Sequence, residues 1–268
     1  MNAKELLDAD ELLAATEQLT KEVRAHPADT QRRIFLFELL CFAGDYQRAD
    51  RQLEVIGGQG SRAEVGVQVY RNIFAAEQLR RRLFAEGLQP KFLFEPPPYV
   101  RLHLEALNRV RENSPVEARS LLEKSVEARP ALAGQINGQA FADIQDSDEL
   151  LGPCLEVIAG KDYAWLPFEH IKSLQIGPPK RLRDLLWLPA TIETWEIPLG
   201  EVFLPVLYAG SSAHPNDQVK LGRMTEWQDV GAQLTRGIGQ RLFLADNEEY
   251  AILGVRDVTF LSDSSEEE

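Results

Sequence analysis

Apolar residues in the first half of the chain recur at helical spacing, every third or fourth position, between Asp8 and Pro130. The breaks in this pattern are helix stops rather than strand turns. Gly44 and Gly87 suit the left-handed conformation that ends many helices, and Asp45 is placed to cap the next helix. The pattern therefore predicts a series of helices joined by short turns.

The helical pattern also repeats. Two segments share the spacing Ala-x3-Leu-x3-Val-x3-Pro and lie 103 residues apart, about three times the roughly 34-residue tetratricopeptide period. An intermediate copy has Ala49 and Leu53 at the corresponding positions. The outer copies are Ala15, Leu19, Val23 and Pro27, and Ala118, Leu122, Val126 and Pro130. Because small residues allow helices to cross closely, residues 1–132 are predicted to form tetratricopeptide-like helical hairpins. The alternative is a helical bundle without repeats.

The pattern changes from about Gly134. Short apolar runs are broken there by Gly, Pro, Asp and Asn, and all four tryptophans follow, which is typical of short strands. Residues 133–261 are predicted to form a compact β-rich domain, a barrel or a sandwich, and residues 262–268 a disordered acidic tail. The fold class is α+β. The predicted strands are 139–144, 154–158, 162–166, 172–176, 185–197, 200–208, 240–245 and 250–260, with a helical turn near Arg181 to Leu185.

The charge distribution restricts the class of partner. The formal net charge is -13, and residues 131–268 carry all but one of these negative charges. This opposes nucleic-acid binding, which requires a concentrated cationic surface. The one basic run, Arg80 to Arg82, is interpreted as a solvated helix face. The acidic residues of 143–149 lack the glycine and final glutamate of a calcium loop and are interpreted as a solvated turn.

The sequence offers little for catalysis, metal binding or membrane association. Cys41 and Cys154 lie beside apolar neighbours and are expected to be buried thiols, and no histidine has a second His or Cys at metal-ligand spacing. No apolar run reaches the roughly 18 residues of a membrane span, and the acidic start differs from a signal peptide. We therefore expect a cytoplasmic protein that is not an enzyme, with no catalytic, metal or cofactor residue and no nucleic-acid or membrane partner.

Five segments resemble one family, in the family's order and over nearly the whole chain. They are FLFELLCFAGDYQRA (35–49), LEVIAGKDYAWLPFEHI (155–171), LRDLLWLPA (182–190), GEVFLPVLYAGS (200–211) and LGRMTEW (221–227). The family is the ImpE/SciE/TagJ family of type VI secretion accessory proteins. The resemblance implies a cytoplasmic, non-catalytic component of a contractile secretion machine. It also implies two partners, the N-terminal helix of the small sheath subunit and the AAA+ ATPase that disassembles contracted sheath.

A groove on a helical repeat suits an amphipathic helix whose anchors recur at i, i+3, i+4 and i+7. The hypothesis places this groove on the first helices of the hairpins. Its predicted contact residues are Arg33, Phe37 and Leu40 on one stripe and Tyr70, Phe74 and Glu77 on the next. The alternative for all six is a place in the core.

In the second half, Arg183, Asp184 and Trp187 are predicted either to order the turn before a strand or to contact a partner. Two other functions stay open. One is a general scaffold whose acidic domain recruits the ATPase or a baseplate protein, with the repeat used for dimerisation. The other is an enzyme with a site in the β domain, assembled from residues such as His170, Asp184 and His214. A deep pocket with converging titratable groups would favour the enzyme.

Overall fold

The first half of the protein is helical and the second half is built of strands, in a computed structural model that describes residues 1–58 and 60–262. This confirms the α+β prediction. The helices are α1 (Ala3–Asp8), α2 (Leu12–Ala25), α3 (Thr30–Phe42), α4 (Tyr46–Gly57), α5 (Ser61–Glu86), α6 (Pro98–Arg111), α7 (Pro115–Ala128) and α8 (Asp217–Lys220). The predicted acidic tail lies, from residue 263 onward, outside the described residues.

Most strands of the protein agree with the predicted segments. They are β1 (Lys91–Phe92), β2 (Gly134–Ile136), β3 (Gln139–Phe141), β4 (Ile144–Asp146), β5 (Cys154–Ala159), β6 (Asp162–Pro167), β7 (Ile171–Ile176), β8 (Trp187–Thr194), β9 (Pro198–Pro205), β10 (Thr225–Gly231), β11 (Leu234–Gly239), β12 (Leu242–Ala245), β13 (Glu248–Ala251) and β14 (Asp257–Phe260). The predicted helical turn is a 3₁₀ turn at Leu182–Leu185. The strands β1 and β2, the hairpin of β10 and β11 and the short helix α8 were not predicted.

Local sequence sets the helix ends. Gly44, the second residue after α3, and Gly87, directly after α5, have positive φ of +71° and +77°. Gly87 is the left-handed cap of α5. The Asp45 carboxylate accepts a hydrogen bond from the Arg48 backbone N–H at 3.0 Å and caps α4. Pro115 occupies the first turn of α7, where its missing N–H costs nothing.

Consecutive helices pack against each other along the first half. The alanines of the three repeat copies, Ala15, Ala49 and Ala118, are fully buried, as close helix crossings require. The burial of the valine in the repeat pattern differs between the outer copies, since Val23 is buried whereas Val126 is 64% exposed. The helical hairpins are therefore present, and their assignment as tetratricopeptide-like stays a prediction.

The strands form open sheets rather than a closed barrel. Among the described residues, the main sheet has nine strands in the order β1-β6-β5-β9-β8-β7-β14-β2-β3. Neighbouring strands are antiparallel except for β1 and β6, which are parallel. β4, β12 and β13 form a second sheet, and β10 and β11 a two-stranded ribbon.

One hydrophobic core joins the two halves. Buried side chains of α3 and α5 belong to the same packed cluster as those of β5, β6 and β8, and β1, which follows α5, extends the main sheet beside β6. The domain boundary at residue 132 stays a prediction. In the described part of the chain, none of the helices combines the length and the apolar character needed to cross a bilayer.

Candidate functional site

The aromatic stripe predicted on α3 and α5 is packed inside the protein. Phe37 is 1% exposed and Phe74 6% exposed. The Phe37 ring meets the Tyr70 ring edge-on at 5.3 Å between centroids, and Tyr46 stacks on Phe74 at 4.9 Å. Leu40, also predicted as a contact, is 1% exposed. These side chains hold α3, α4 and α5 together.

Trp187, the first residue of β8, packs against the aromatic side chains of this stripe. Its ring lies 6.0 Å from Phe74 and 6.4 Å from Tyr70 between centroids. Its indole Nε1 donates a hydrogen bond to Glu77 Oε1 at 3.0 Å. The face that the sequence predicted as a partner groove is therefore occupied by the protein's own second half.

Arg183, in the 3₁₀ turn before β8, reinforces this contact. Its Nε donates to the Tyr70 hydroxyl at 2.6 Å, and its Nη1 donates to Glu38 Oε1 at 2.8 Å. Burial raises the pKa of Glu38, against the effect of the Arg183 charge. Asp184 accepts hydrogen bonds from the backbone N–H groups of Lys180 and Arg181 at 2.8 and 3.0 Å and so orders the turn.

The structure thus brings six of the nine predicted site residues into one contact between the two halves. They are Phe37, Tyr70, Phe74, Glu77, Arg183 and Trp187. Arg33 lies elsewhere, because its guanidinium donates to Gln52 Oε1 and to the Pro27 carbonyl, both at 2.9 Å.

A buried charge network that the sequence did not indicate lies beside this contact. Arg80 of α5 donates to both oxygens of Glu156 in β5, at 2.7 and 2.8 Å, and to the Leu207 carbonyl at 2.8 Å. Arg241 binds the same Glu156 carboxylate and also Asp146. Arg80 is 5% exposed, and the other three charged residues at most 1%. Because a buried charge without a partner is costly, each of these residues depends on the others.

The two carboxylates bound by Arg241 differ in the direction of their pKa shifts. Burial alone would raise the pKa of Glu156, but Arg80, Arg241 and the hydrogen bond from Tyr163 hold it at about 2. Burial raises the pKa of Asp146 to about 7, although Arg241 opposes this. Glu156 is therefore the fixed anion at the centre of the network.

Two predictions about charged segments were wrong for some of their residues. Arg80 belongs to a run interpreted as a solvated face, and Asp146 and Asp148 belong to a segment interpreted as a solvated turn, yet all three are buried. Arg81 and Arg82 of the same run are exposed. The prediction for both cysteines was correct, since Cys41 and Cys154 are buried free thiols.

The residues named for an enzyme occupy separate environments. His170 stacks on Phe94 at 5.2 Å, Asp184 caps its own turn, and His214 lies 3.5 Å from Glu226. In the described chain, no hydrogen bond or ion pair joins any two of the three. Residues 1–58 and 60–262 contain no group of three His, Cys, Asp or Glu side chains suited to a metal ion.

An exposed groove of about 350 Å³ lies between α2, α3 and α4. Buried Val23 and Leu36 contribute to its floor. We call it the arginine groove. It is lined by Arg24, Arg33, Arg48 and Arg51, and no acidic residue is among its lining residues. Arg33 is the one predicted contact residue that reaches it.

A second cavity, of about 330 Å³, lies between α7 and the segment that joins β4 to β5. His103, which is 3% exposed, lines it. Burial lowers the pKa of His103 to about 4, and a hydrogen bond to the Leu150 backbone opposes this. The His103 ring is therefore neutral at physiological pH.

Comparisons with known proteins identify a relative over nearly the whole chain. The family model described as "ImpE protein" matches residues 138–259. The chain is 40% identical over 260 residues to the type VI secretion system accessory component TagJ of Pseudomonas aeruginosa strain PAO1. This match covers 97% of the chain and 91% of TagJ.

The fold also recurs in a solved structure. The X-ray structure of protein VPA1032 from Vibrio parahaemolyticus matches with a TM-score of 0.89 over 99% of both chains, at 24% sequence identity. This likeness shows that the arrangement of a helical half against open sheets is shared.

Proposed function

The chain belongs to the ImpE/TagJ family of type VI secretion accessory proteins, and from this premise we propose that it is a non-enzymatic cytoplasmic adaptor. It binds the N-terminal helix of the small sheath subunit and links the sheath to the AAA+ ATPase that disassembles it. The observation that carries the proposal is the 40% identity to the accessory component TagJ over 97% of the chain.

The character of the buried charges supports binding rather than chemistry. The strongly perturbed carboxylates, Glu156 and Asp146, are engaged by arginines inside the core, where they stabilise the contact between the halves. The helical half carries an open groove, where packed helices suit the docking of a further helix.

The predicted contact residues have two roles in this proposal. Arg33 contacts the partner directly, because it lines an exposed groove. Phe37, Leu40 and Phe74 are buried and hold the helices at the spacing that the groove requires. Arg183 and Trp187 fix the β half against the opposite side of the same helices.

A second candidate function is favoured by the charge of residues 131–268, whose acidic residues outnumber basic ones by 12. A surface of this sign attracts a basic partner and accelerates encounter more than it increases affinity. The second half would then recruit the ATPase or a baseplate protein. Association with the purified ATPase that weakens steeply with added salt would support this function.

The first test is a titration of the full chain into a fluorescently labelled peptide, the N-terminal helix of the small sheath subunit from the same secretion cluster. Saturable binding at micromolar concentration or tighter, followed by fluorescence anisotropy, is the expected result, with a scrambled peptide as control. The intact chain is used because the buried Arg80 and Glu156 pair crosses between the halves. Absence of binding by protein that circular dichroism shows to be folded would reject recognition of the sheath helix.

A further inference from the structure

We propose that the arginine groove is the docking site for an acidic amphipathic helix of a partner protein, with apolar anchors on its floor and carboxylates paired with its arginines. This inference rests on the proposed adaptor function for the identity of the partner. The site and the chemistry of recognition follow from the groove itself.

The cations of the groove are largely left without carboxylate partners. Within the described chain, Arg24 forms no hydrogen bond or ion pair, and Arg51 donates only to the Gln47 carbonyl at 3.4 Å. Arg33 binds an amide and a carbonyl, both neutral. Only Arg48 lies near a carboxylate, that of Asp45 at 3.5 Å.

Three other exposed arginines of the helical half are paired more closely with carboxylates. Arg71 lies 2.7 Å from Asp50, Arg82 lies 2.8 Å from Glu86 and Arg101 forms an ion pair with Glu95 at 2.5 Å. In a protein with a net charge of -13, a groove that gathers four arginines without an acidic lining residue is a local exception. The potential inside it favours an anionic ligand.

The arrangement of the arginines fits carboxylates on a helix. Arg48 and Arg51 are three positions apart on α4 and share one face, where like charges at this spacing repel each other. Arg24 approaches from α2 on another side of the groove. Acidic residues three or four positions apart on a docked helix would pair with these cations and relieve the repulsion.

The apolar floor of the arginine groove favours an amphipathic helix over a nucleic acid as the ligand. Val23 and Leu36 are buried side chains that line the groove, and they offer apolar contact, which a phosphate backbone cannot use. The overall negative charge also repels an extended polyanion. A protein segment with mixed apolar and acidic residues matches both features.

The other surface of the helices that was predicted to bind a partner helix is covered by the protein itself. The aromatic stripe of α3 and α5 is covered by Trp187, whose ring contacts Phe74 and Tyr70. A helix that docks on the intact protein therefore meets the arginine groove without displacing a packed element.

The test compares the full chain with two double variants of equal charge change. Arg24→Glu with Arg51→Glu alters the groove, whereas Arg82→Glu with Arg101→Glu alters exposed arginines outside it. Two labelled peptides are titrated by anisotropy. One is the N-terminal helix of the small sheath subunit, and the other is a synthetic helical peptide built of Leu, Ala and Glu. Circular dichroism verifies that each protein is folded.

We expect the groove variant to bind both peptides about tenfold more weakly or worse, and the control variant to bind within about twofold of the unmodified protein. Replacing the peptide carboxylates with lysines should restore binding to the groove variant. Added salt should weaken binding by the unmodified protein more than by the groove variant.

Each other outcome is decisive. Equal binding of the sheath peptide by all three proteins overturns the arginine groove and leaves the adaptor function standing. Binding of the Leu–Ala–Glu peptide alone, lost in the groove variant, supports the groove and rejects the sheath helix as partner. Failure of both peptides to bind overturns both proposals. Binding of a DNA duplex to the groove instead of the peptides rejects an acidic helix as the ligand.

Discussion

At the scale of single residues, several charged side chains that the sequence pattern placed on the surface are buried and stabilise the interior. Arg80 is the first member of a three-arginine run, yet it alone of the three is buried, because it meets a carboxylate 76 positions later in the chain, Glu156. Glu156 in turn binds Arg241. Removing one member leaves a buried charge with fewer partners.

Arg80→Ala is expected to lower the free energy of unfolding by about 3 kcal/mol or more, since it leaves Glu156 partly unpaired in the core. The matched control is Arg82→Ala on the same helix, whose pair with Glu86 is about half exposed. The control should change stability by less than about 0.5 kcal/mol. Denaturant unfolding of the full chain measures both values, and equal effects would contradict the role of the network.

His103 should make the folded state sensitive to acid. Its folded pKa of about 4 is below the unfolded value of about 6.5, so the unfolded chain binds the proton first. The stability contributed by neutral His103 is complete above pH 6.5 and is lost as the pH falls through about 4, by about 1.4 kcal/mol per pH unit in that window.

His103→Gln removes this one titration and keeps a polar side chain. The difference in unfolding free energy between the unmodified protein and this variant should therefore fall as the pH decreases from 6.5 to 4. Denaturant unfolding at several pH values measures it. A difference independent of pH in this range would show that His103 titrates normally in the folded protein.

At the scale of elements, a 3₁₀ turn and the strand after it decide what covers the helices. The turn at Leu182–Leu185 places Arg183 on α3 and α5, and β8 begins with Trp187 against Phe74. The sequence offered two roles for these residues, order in the turn or contact with a partner. Asp184 has the first role, while Arg183 and Trp187 contact the protein's own helices.

Arg183→Ala should destabilise the protein by about 1–3 kcal/mol, because the largely buried Glu38 carboxylate and the Tyr70 hydroxyl lose their donor. Arg181→Ala, in the same turn but exposed, is the control and should have little effect. Thermal unfolding of the two variants distinguishes them. A stability loss of the same size in the control would indicate that the turn, rather than the Arg183 contacts, is what matters.

At the scale of the whole molecule, the helical half and the sheets share one core. Ion pairs cross between them, from Arg80 to Glu156 and from Arg183 to Glu38. Exposing these charges and the aromatic stripe would be costly for either half alone. The two halves should therefore unfold together.

The tryptophans provide the probe, since all four lie in the second half whereas the long helices lie in the first. Denaturant transitions followed by tryptophan fluorescence and by far-ultraviolet circular dichroism should coincide. Arg80→Ala, which weakens the contact between halves, is the variant in which the two transitions should begin to separate. Two separate transitions in the unmodified protein would contradict a single cooperative core.

The sequence alone determined the class of most elements, because periodicity, capping residues and helix stops act over a few neighbouring positions. It also revealed the family, through segments such as LRDLLWLPA at 182–190. Tertiary structure decided which faces are covered. Arg80 pairs with Glu156 across 76 positions and Glu38 with Arg183 across 145, and local pattern carries no information about pairs so distant. The order of strands in the open sheet and the gathering of Arg24, Arg33, Arg48 and Arg51 from three helices depend on the same long-range packing.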